Sequence, residues 1–220
     1  MACRPFRPES RLVQRSYNLM SLSVRPFDAA SVAAPRQLTS IPSSFLDGSP
    51  LDLEIGCGVG WHPIQYAKAH PDRRLIAIEH TREKFLSFER RANSHPDLAP
   101  HLLPVHADAI RWVTHLIKPE ILDRVLLLYP NPESKAANKR WFRMPFFHHL
   151  LKTVKTGGTI QLATNIASYA DEAEMYAIHF WNLELQNRCE IKSSIAPRTH
   201  FEKKYLARGE TCFDLTFVKP

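Results

Sequence analysis

An α/β fold, with a mostly parallel sheet carrying helices on both faces, is predicted by three observations. After residue 50, short apolar runs of strand length alternate with helical segments. The first of those strands runs into a glycine-rich turn, Leu53-Glu-Ile-Gly-Cys-Gly-Val-Gly60. Acidic residues, Glu54, Glu79 and Asp108, stand at the ends of three successive strands. Ligands of doubly wound sheets bind at that end.

The elements follow in order. The first 45 residues hold six arginines, no lysine, two acidic residues, eight serines and five prolines. Prolines at that density break any long helix. Residues 1–45 read as a poorly ordered basic arm that drapes over the fold or over nucleic acid. An Arg- and Ser-rich, acid-poor composition also suits a transit peptide. Residues 46–220 are expected to form the folded domain. Strands are expected at 51–55, 74–78, 102–105, 124–129 and 158–163. Helices are expected at 61–70, 81–94, 109–117, 145–155 and 167–181. This alternation calls for right-handed crossovers between parallel strands. Pro145 suits a first helical turn, and Gly157-Gly158 is read as ending that helix before the next strand. Residues 210–219 read as a last strand at the sheet edge.

Composition narrows the function. A chain of 220 residues suits one domain with a full core, or one domain plus a tail. The longest apolar run, Val125–Leu128, is strand-sized, so a soluble, cytoplasmic protein without membrane contact is expected. The four cysteines lack metal spacing and read as reduced thiols. The eleven histidines, His148-His149 among them, also lack ligand spacing, and no metal is expected. A net charge of +7 favours a polyanionic partner.

Gly56, Gly58 and Gly60 form G-x-G-x-G rather than the G-x-G-x-x-G of dinucleotide sites. Glycines there let backbone approach a ligand closely and allow positive φ. A carboxylate at Glu79, ending the second strand, suits a ribose diol through two hydrogen bonds. Asp108 suits an adenine amine. Both could instead cap helices. One adenosine-bearing ligand explains Glu54, Glu79 and Asp108 together. The spacing resembles the S-adenosyl-L-methionine loop of class I methyltransferases, with a nicotinamide dehydrogenase as the competing reading.

From residue 51 onward the chain resembles the tRNA (guanine-N7-)-methyltransferase family. The motifs are "LEIGCGVG" (53–60), "IEH" (78–80), "DA" (108–109), "LYPNPESK" (128–135), "NKRW" (138–141), "LKTVKTGG" (151–158), "LATN" (162–165) and "RTHFE" (198–202). The resemblance implies a Rossmann-like class I methyltransferase fold with a seven-stranded sheet, S-adenosyl-L-methionine as cofactor and tRNA as partner. It puts Asn131 at the place assigned to catalysis and to the cofactor. Lys135, Asn165, Thr199, His200, Phe201 and Glu202 fall on the substrate side. Lys139 and Arg140, beside Trp141 and Phe142, suit phosphate contacts and base stacking. The alternative is a solvated helix face with both aromatics in the core. Lys203, Lys204 and Arg208 make a second basic group.

The departures are specific. The family's aspartate after the fourth strand is Asn131 here, and the tryptophan of that motif is Glu133. The aspartate after the fifth strand is Asn165, and the histidine before the basic run is missing. Guanine N7 carries an in-plane lone pair and no proton, so methylation there needs alignment rather than a general base. A carboxylate would help as the base becomes cationic; asparagine keeps the acceptor oxygen and loses the charge. Two other readings stay open. Amine methyltransferases use D/N-P-P-aromatic at this place, of which "NPES" lacks the second proline and the aromatic. An inactive relative that binds tRNA or cofactor is the other.

Overall fold

The computed structural model describes residues 22–36, 39–133, 135–194 and 196–220. These form one seven-stranded sheet in the order β3-β2-β1-β4-β5-β7-β6. The strands are β1 (Leu51–Ile55), β2 (Arg74–Glu79), β3 (Leu102–His106), β4 (Leu122–Leu128), β5 (Val154–Thr164), β6 (Glu184–Ile191) and β7 (Cys212–Val218). The helices are α1 (Trp61–Ala69), α2 (Arg82–Asn93), α3 (Ala109–Leu116), α4 (Phe146–Thr153), α5 (Ala167–His179) and α6 (His200–Ala207). The first five strands are parallel, and β7 runs antiparallel to both β5 and β6.

The central strands are buried on both faces, as a parallel sheet covered by helices requires, although β1 turns the paired carboxylates of Asp52 and Glu54 to one of them. All five residues of β1 are buried. Two cores result. One packs Leu53, Ile76, Val125 and Leu127 against Trp112 of α3, Phe146 and Leu150 of α4 and Tyr169 of α5. The other packs Leu75, Ala77, Leu126 and Leu128 against Ile64 of α1, Phe88 of α2 and Phe201 of α6. The chain crosses from β3 to β4 past β1, so the strand order reverses between β1 and β4. Loops leaving those two strands open a crevice at that point.

Three features differ from the sequence expectation. The last strand is not an edge: β7 lies between β5 and β6, and β6 forms the edge. Gly157-Gly158 do not end α4, which stops at Thr153. Instead they sit inside β5, where the pairing with β4 slips between Leu122↔Val154 and Arg124↔Thr159. Gly157 adopts φ +78°, and a Cβ on Gly158 would lie 2.8 Å from Lys155 O, so the irregularity selects glycine at both places. Finally, the described part of the arm packs on the fold. Leu22, Val24 and Phe27 pack against the first core, Phe27 meeting Phe146 edge-on at 5.5 Å. The Trp112 indole N–H donates to Thr39 O over 3.1 Å. Residues 1–21 of the arm lie outside the described residues.

Candidate active site

The turn after β1 is built by its glycines. Gly56 and Gly58 take φ +78° and +62°, a region open to glycine at little cost. The Gly56 and Cys57 N–H groups donate to Ile78 O over 2.8 and 3.1 Å, which pins the turn to β2. A Cβ added to Gly56 or Gly58 would meet nothing within 4 Å, so their backbone borders open space. Gly60 has a different task. It caps α1 at φ +78°, and a Cβ there would lie 2.0 Å from Phe88 Cδ2. Its missing side chain lets α1 pack on α2, and it lines no ligand space described here.

The three acidic residues are all engaged within the protein. The buried Glu79 carboxylate accepts the Gly58 N–H over 2.8 Å and the Thr81 N–H over 2.7 Å, one on each oxygen. Each oxygen keeps a lone pair. Glu54, also buried, lies 2.7 Å from Nδ1 of His62 on α1. Between them, burial and then the charges of Glu54 and Glu79 push the Cys57 thiol well above the usual range, so it stays a neutral lining group. Asp108 caps α3, accepting the Arg111 N–H over 2.9 Å. It lines a cleft of about 650 Å³ with His80, His106, Arg36, Arg82 and Arg111.

The segment after β4 is held from below. Tyr129 sits at φ +53°, unusual for a bulky residue. Its N–H donates to Ala163 O over 2.7 Å, and its hydroxyl donates to Glu202 Oε2 over 2.8 Å. Two residues later, Asn131 is exposed, and its Oδ1 accepts the Glu133 N–H over 3.2 Å. Glu202 is the hub beneath. Thr199 caps α6 by accepting the Glu202 N–H over 2.9 Å, and Glu202 Oε1 accepts the Arg198 N–H over 3.1 Å. The Arg198 guanidinium pairs with Glu202 at 2.8 Å and with Asp214. Burial alone would raise the Glu202 pKa, but Arg198 outweighs it and holds the carboxyl below its usual value. Burial, with Cys212 and Glu202, pushes the Tyr129 phenol far up, so it serves as a donor.

Glu202 therefore works inside the protein, while Thr199, which also caps α6, lines a pocket together with His200 and Phe201. That pocket, about 130 Å³, is lined by Glu54, Gly56, Gly58, Trp61, Leu128, His200 and Phe201, among others. It joins the glycine turn to an α6 motif far along the chain. Asn131, Asp108, Lys135, Lys139, Arg140 and Asn165 lie outside its lining.

The basic segment divides. Lys135 and Lys139 are exposed. Arg140 is not free: it pairs with Glu172 at 2.7 Å, donates to Pro132 O over 2.7 Å and lies over the Tyr169 ring at 5.4 Å. Arg143 pairs with the same Glu172 at 2.8 Å. Phe142 is fully buried and Trp141 packs against the first core, so the aromatics serve packing. Asn165 donates to Glu210 over 2.7 Å. Among the described residues Cys57 and Cys212 are free thiols. Among the described residues no group of three or more metal-ligating side chains occurs, and no helix is long and apolar enough to cross a membrane. Trp61, Tyr129 and Arg198 were not legible as site residues. The signals were a tryptophan directly after the third glycine, and a capping pattern, Thr199-x-x-Glu202, beside an arginine.

A family model described as "Putative methyltransferase" matches residues 48–215. A protein of Nitrosomonas eutropha named tRNA (guanine-N(7)-)-methyltransferase is 28% identical over 187 residues, covering 81% of this chain and 80% of that protein. One of the same name from Pseudomonas fluorescens is 30% identical over 176 residues, covering 78% and 72%. Among solved structures, the 16S rRNA methyltransferase KamB superposes with a TM-score of 0.63 at 17% identity, over 81% of this chain and 92% of that one. That last likeness concerns the fold.

Proposed function

We propose, because the chain belongs to the tRNA (guanine-N7-)-methyltransferase family, that it transfers a methyl group from S-adenosyl-L-methionine to N7 of a guanine in tRNA. One observation carries the reading: a single pocket joins the open glycine cradle to His200 and Phe201 of α6. Sequence resemblance puts the first on the cofactor side and the second on the substrate side.

The residues fit an adenosyl cofactor. The backbone of Gly56 and Gly58 borders space that a side chain would fill, and the lone pairs left on Glu79 suit a ribose diol. Asp108 keeps one carboxylate oxygen outside its cap bond for an exocyclic amine. Glu79 lines neither space, but it follows the glycine turn's partner Ile78 and precedes His80 of the Asp108 cleft, so in this reading the cofactor runs past the end of β2 from one to the other. The pocket alone is smaller than the ~300–1,000 Å³ of ordinary ligand sites; the ligand needs both spaces.

When bound, the cofactor supplies an electrophilic methyl on a sulfonium. The work of this chain is alignment and exclusion of water. Leu128, Phe201 and Trp61 make an apolar wall. The Tyr129–Glu202 bond sets the path of the segment bearing Asn131. The Asn131 oxygen orients a donor of the cofactor or of guanine without adding negative charge. Lys135 and Lys139, exposed and unpaired among the described residues, reach tRNA phosphates. A tRNA substrate is in keeping with the cytoplasmic location expected from the sequence. Residues 46–220 form the methyltransferase domain in this reading, with 1–45 as its basic arm. Incubation with labelled cofactor and tRNA lacking 7-methylguanosine, followed by nucleoside mass analysis, tests it. Label in 7-methylguanosine is expected; label only in an amine-methylated base would reject it.

A further inference from the structure

We infer that Trp61 is the platform on which the target guanine stacks, and that its ring stabilises the positive charge that methylation creates there. This rests on guanine N7 as the acceptor. Trp61 opens α1 directly after Gly60. It is 36% exposed, one of three large apolar side chains so exposed among the described residues. The other three tryptophans serve the fold. Trp112 and Trp181 donate to Thr39 O and Phe142 O, and Trp141 packs edge-on against Phe146. Trp61 belongs to neither core, and its indole N–H meets no acceptor among the described residues. It lines the pocket that joins the glycine turn to His200 and Phe201. The Lys203 ammonium lies 6.0 Å from the ring centroid, so one face of the indole is already open to a cation.

The chemistry gives that face a use. The N7 lone pair forms the new N–C bond as the methyl C–S bond breaks and its electron pair returns to sulfur. Sulfur becomes a neutral thioether, and the positive charge passes to the purine. A carboxylate near the base would answer that charge, but residue 131 is asparagine. An indole face stacked on the purine meets the charge where it develops. Lys203 must leave the ring as the base arrives, since two cations do not share one face.

The test compares wild type with W61F and W61L. Intrinsic fluorescence is titrated with 7-methylguanosine monophosphate and with guanosine monophosphate, in the presence of adenosylhomocysteine. Methyl transfer to tRNA is then measured as kcat and KM, with adenosylhomocysteine affinity by calorimetry. The methylated nucleotide should quench wild-type emission more strongly than the unmethylated one, and W61F should lose that difference. W61L should lower kcat about tenfold or more, W61F less, with adenosylhomocysteine affinity unchanged. Equal quenching by the two nucleotides, the same selective quench in W61F, or a W61L kcat within about twofold of wild type while wild type makes 7-methylguanosine overturns the role of Trp61 alone. A wild-type protein that forms no 7-methylguanosine overturns the acceptor reading, and this inference with it.

Discussion

The Tyr129 hydroxyl donates to the buried Glu202 carboxylate over 2.8 Å, tying the segment after β4 to the first turn of α6 across 73 positions of sequence. Tyr129 holds a left-handed backbone at φ +53°, a conformation that costs of order 1–3 kcal/mol and persists only where its surroundings enforce it. Tyr129→Phe removes a buried bond to a charged acceptor, worth about 1.5–3 kcal/mol. It should lower the melting temperature and reduce kcat, because the segment bearing Asn131 loses its anchor. Calorimetric affinity for S-adenosyl-L-methionine should change little. A mutant with full kcat would show that the bond does not position the site.

The same hub gives a pH dependence. The folded-state pKa of Glu202 is depressed, so its contribution to stability is present above the unfolded value, about 4.3, and is lost as pH falls through the folded value. Melting temperature should therefore decline on acidification below about pH 4 more steeply in wild type than in Glu202→Gln. Parallel acid limbs in the two proteins would contradict an ionised Glu202.

The glycine turn separates folding from binding. Gly60→Ala meets both positive φ and Phe88, and should destabilise by more than the ~1–2 kcal/mol of the backbone alone. Glu79→Ala should instead weaken S-adenosyl-L-methionine by about ten- to a hundredfold. It should also cost some stability, since Gly58 and Thr81 lose their acceptor. Unchanged calorimetric affinity in folded Glu79→Ala would remove the ribose role.

Lys139 and Arg140 are adjacent yet should behave differently. Lys139→Ala should leave stability intact and reduce the slope of log tRNA affinity against log salt by roughly 0.7–0.9. Arg140→Ala leaves Glu172 with Arg143 alone and takes the donor from the Pro132 carbonyl. It should lower the melting temperature with little direct effect on that slope. The reverse pattern would mean that Arg140 faces RNA.

Much of this was legible in the sequence, and the gaps have physical reasons. The five parallel strands and their helices follow from apolar runs and the turns between them. The strand β6, Glu184–Ile191, escaped because an edge strand carries polar residues on much of both faces, and only Cys189 within it is buried. The position of β7 depends on antiparallel pairing with β5 and β6, a non-local choice that no local pattern in "CFDLTFV" reports. The T-x-F-E motif was legible as functional, but its division of labour was not. Thr199 both caps the helix and lines the pocket with His200 and Phe201, while Glu202 is buried beneath and anchors Tyr129. Asp108 shows the same limit: its place in the chain suited both a cap and a ligand, and the cap bond is what the fold makes.

Asn131 raises the question of charge. Restoring a carboxylate with Asn131→Asp keeps the acceptor for the Glu133 N–H and should raise methyl transfer up to ~10-fold. Whether the native chain modifies N7 at all is most directly read by chemistry peculiar to that product. A 7-methylguanine ring is cationic, so borohydride reduction and aniline cut the RNA chain at that nucleotide, whereas amine-methylated bases survive. Wild-type protein, S-adenosyl-L-methionine and tRNA lacking the modification should yield one cofactor-dependent cut at a guanine. Methyl incorporation without any cut, or neither incorporation nor a cut on any tRNA, would contradict N7 methylation by this protein.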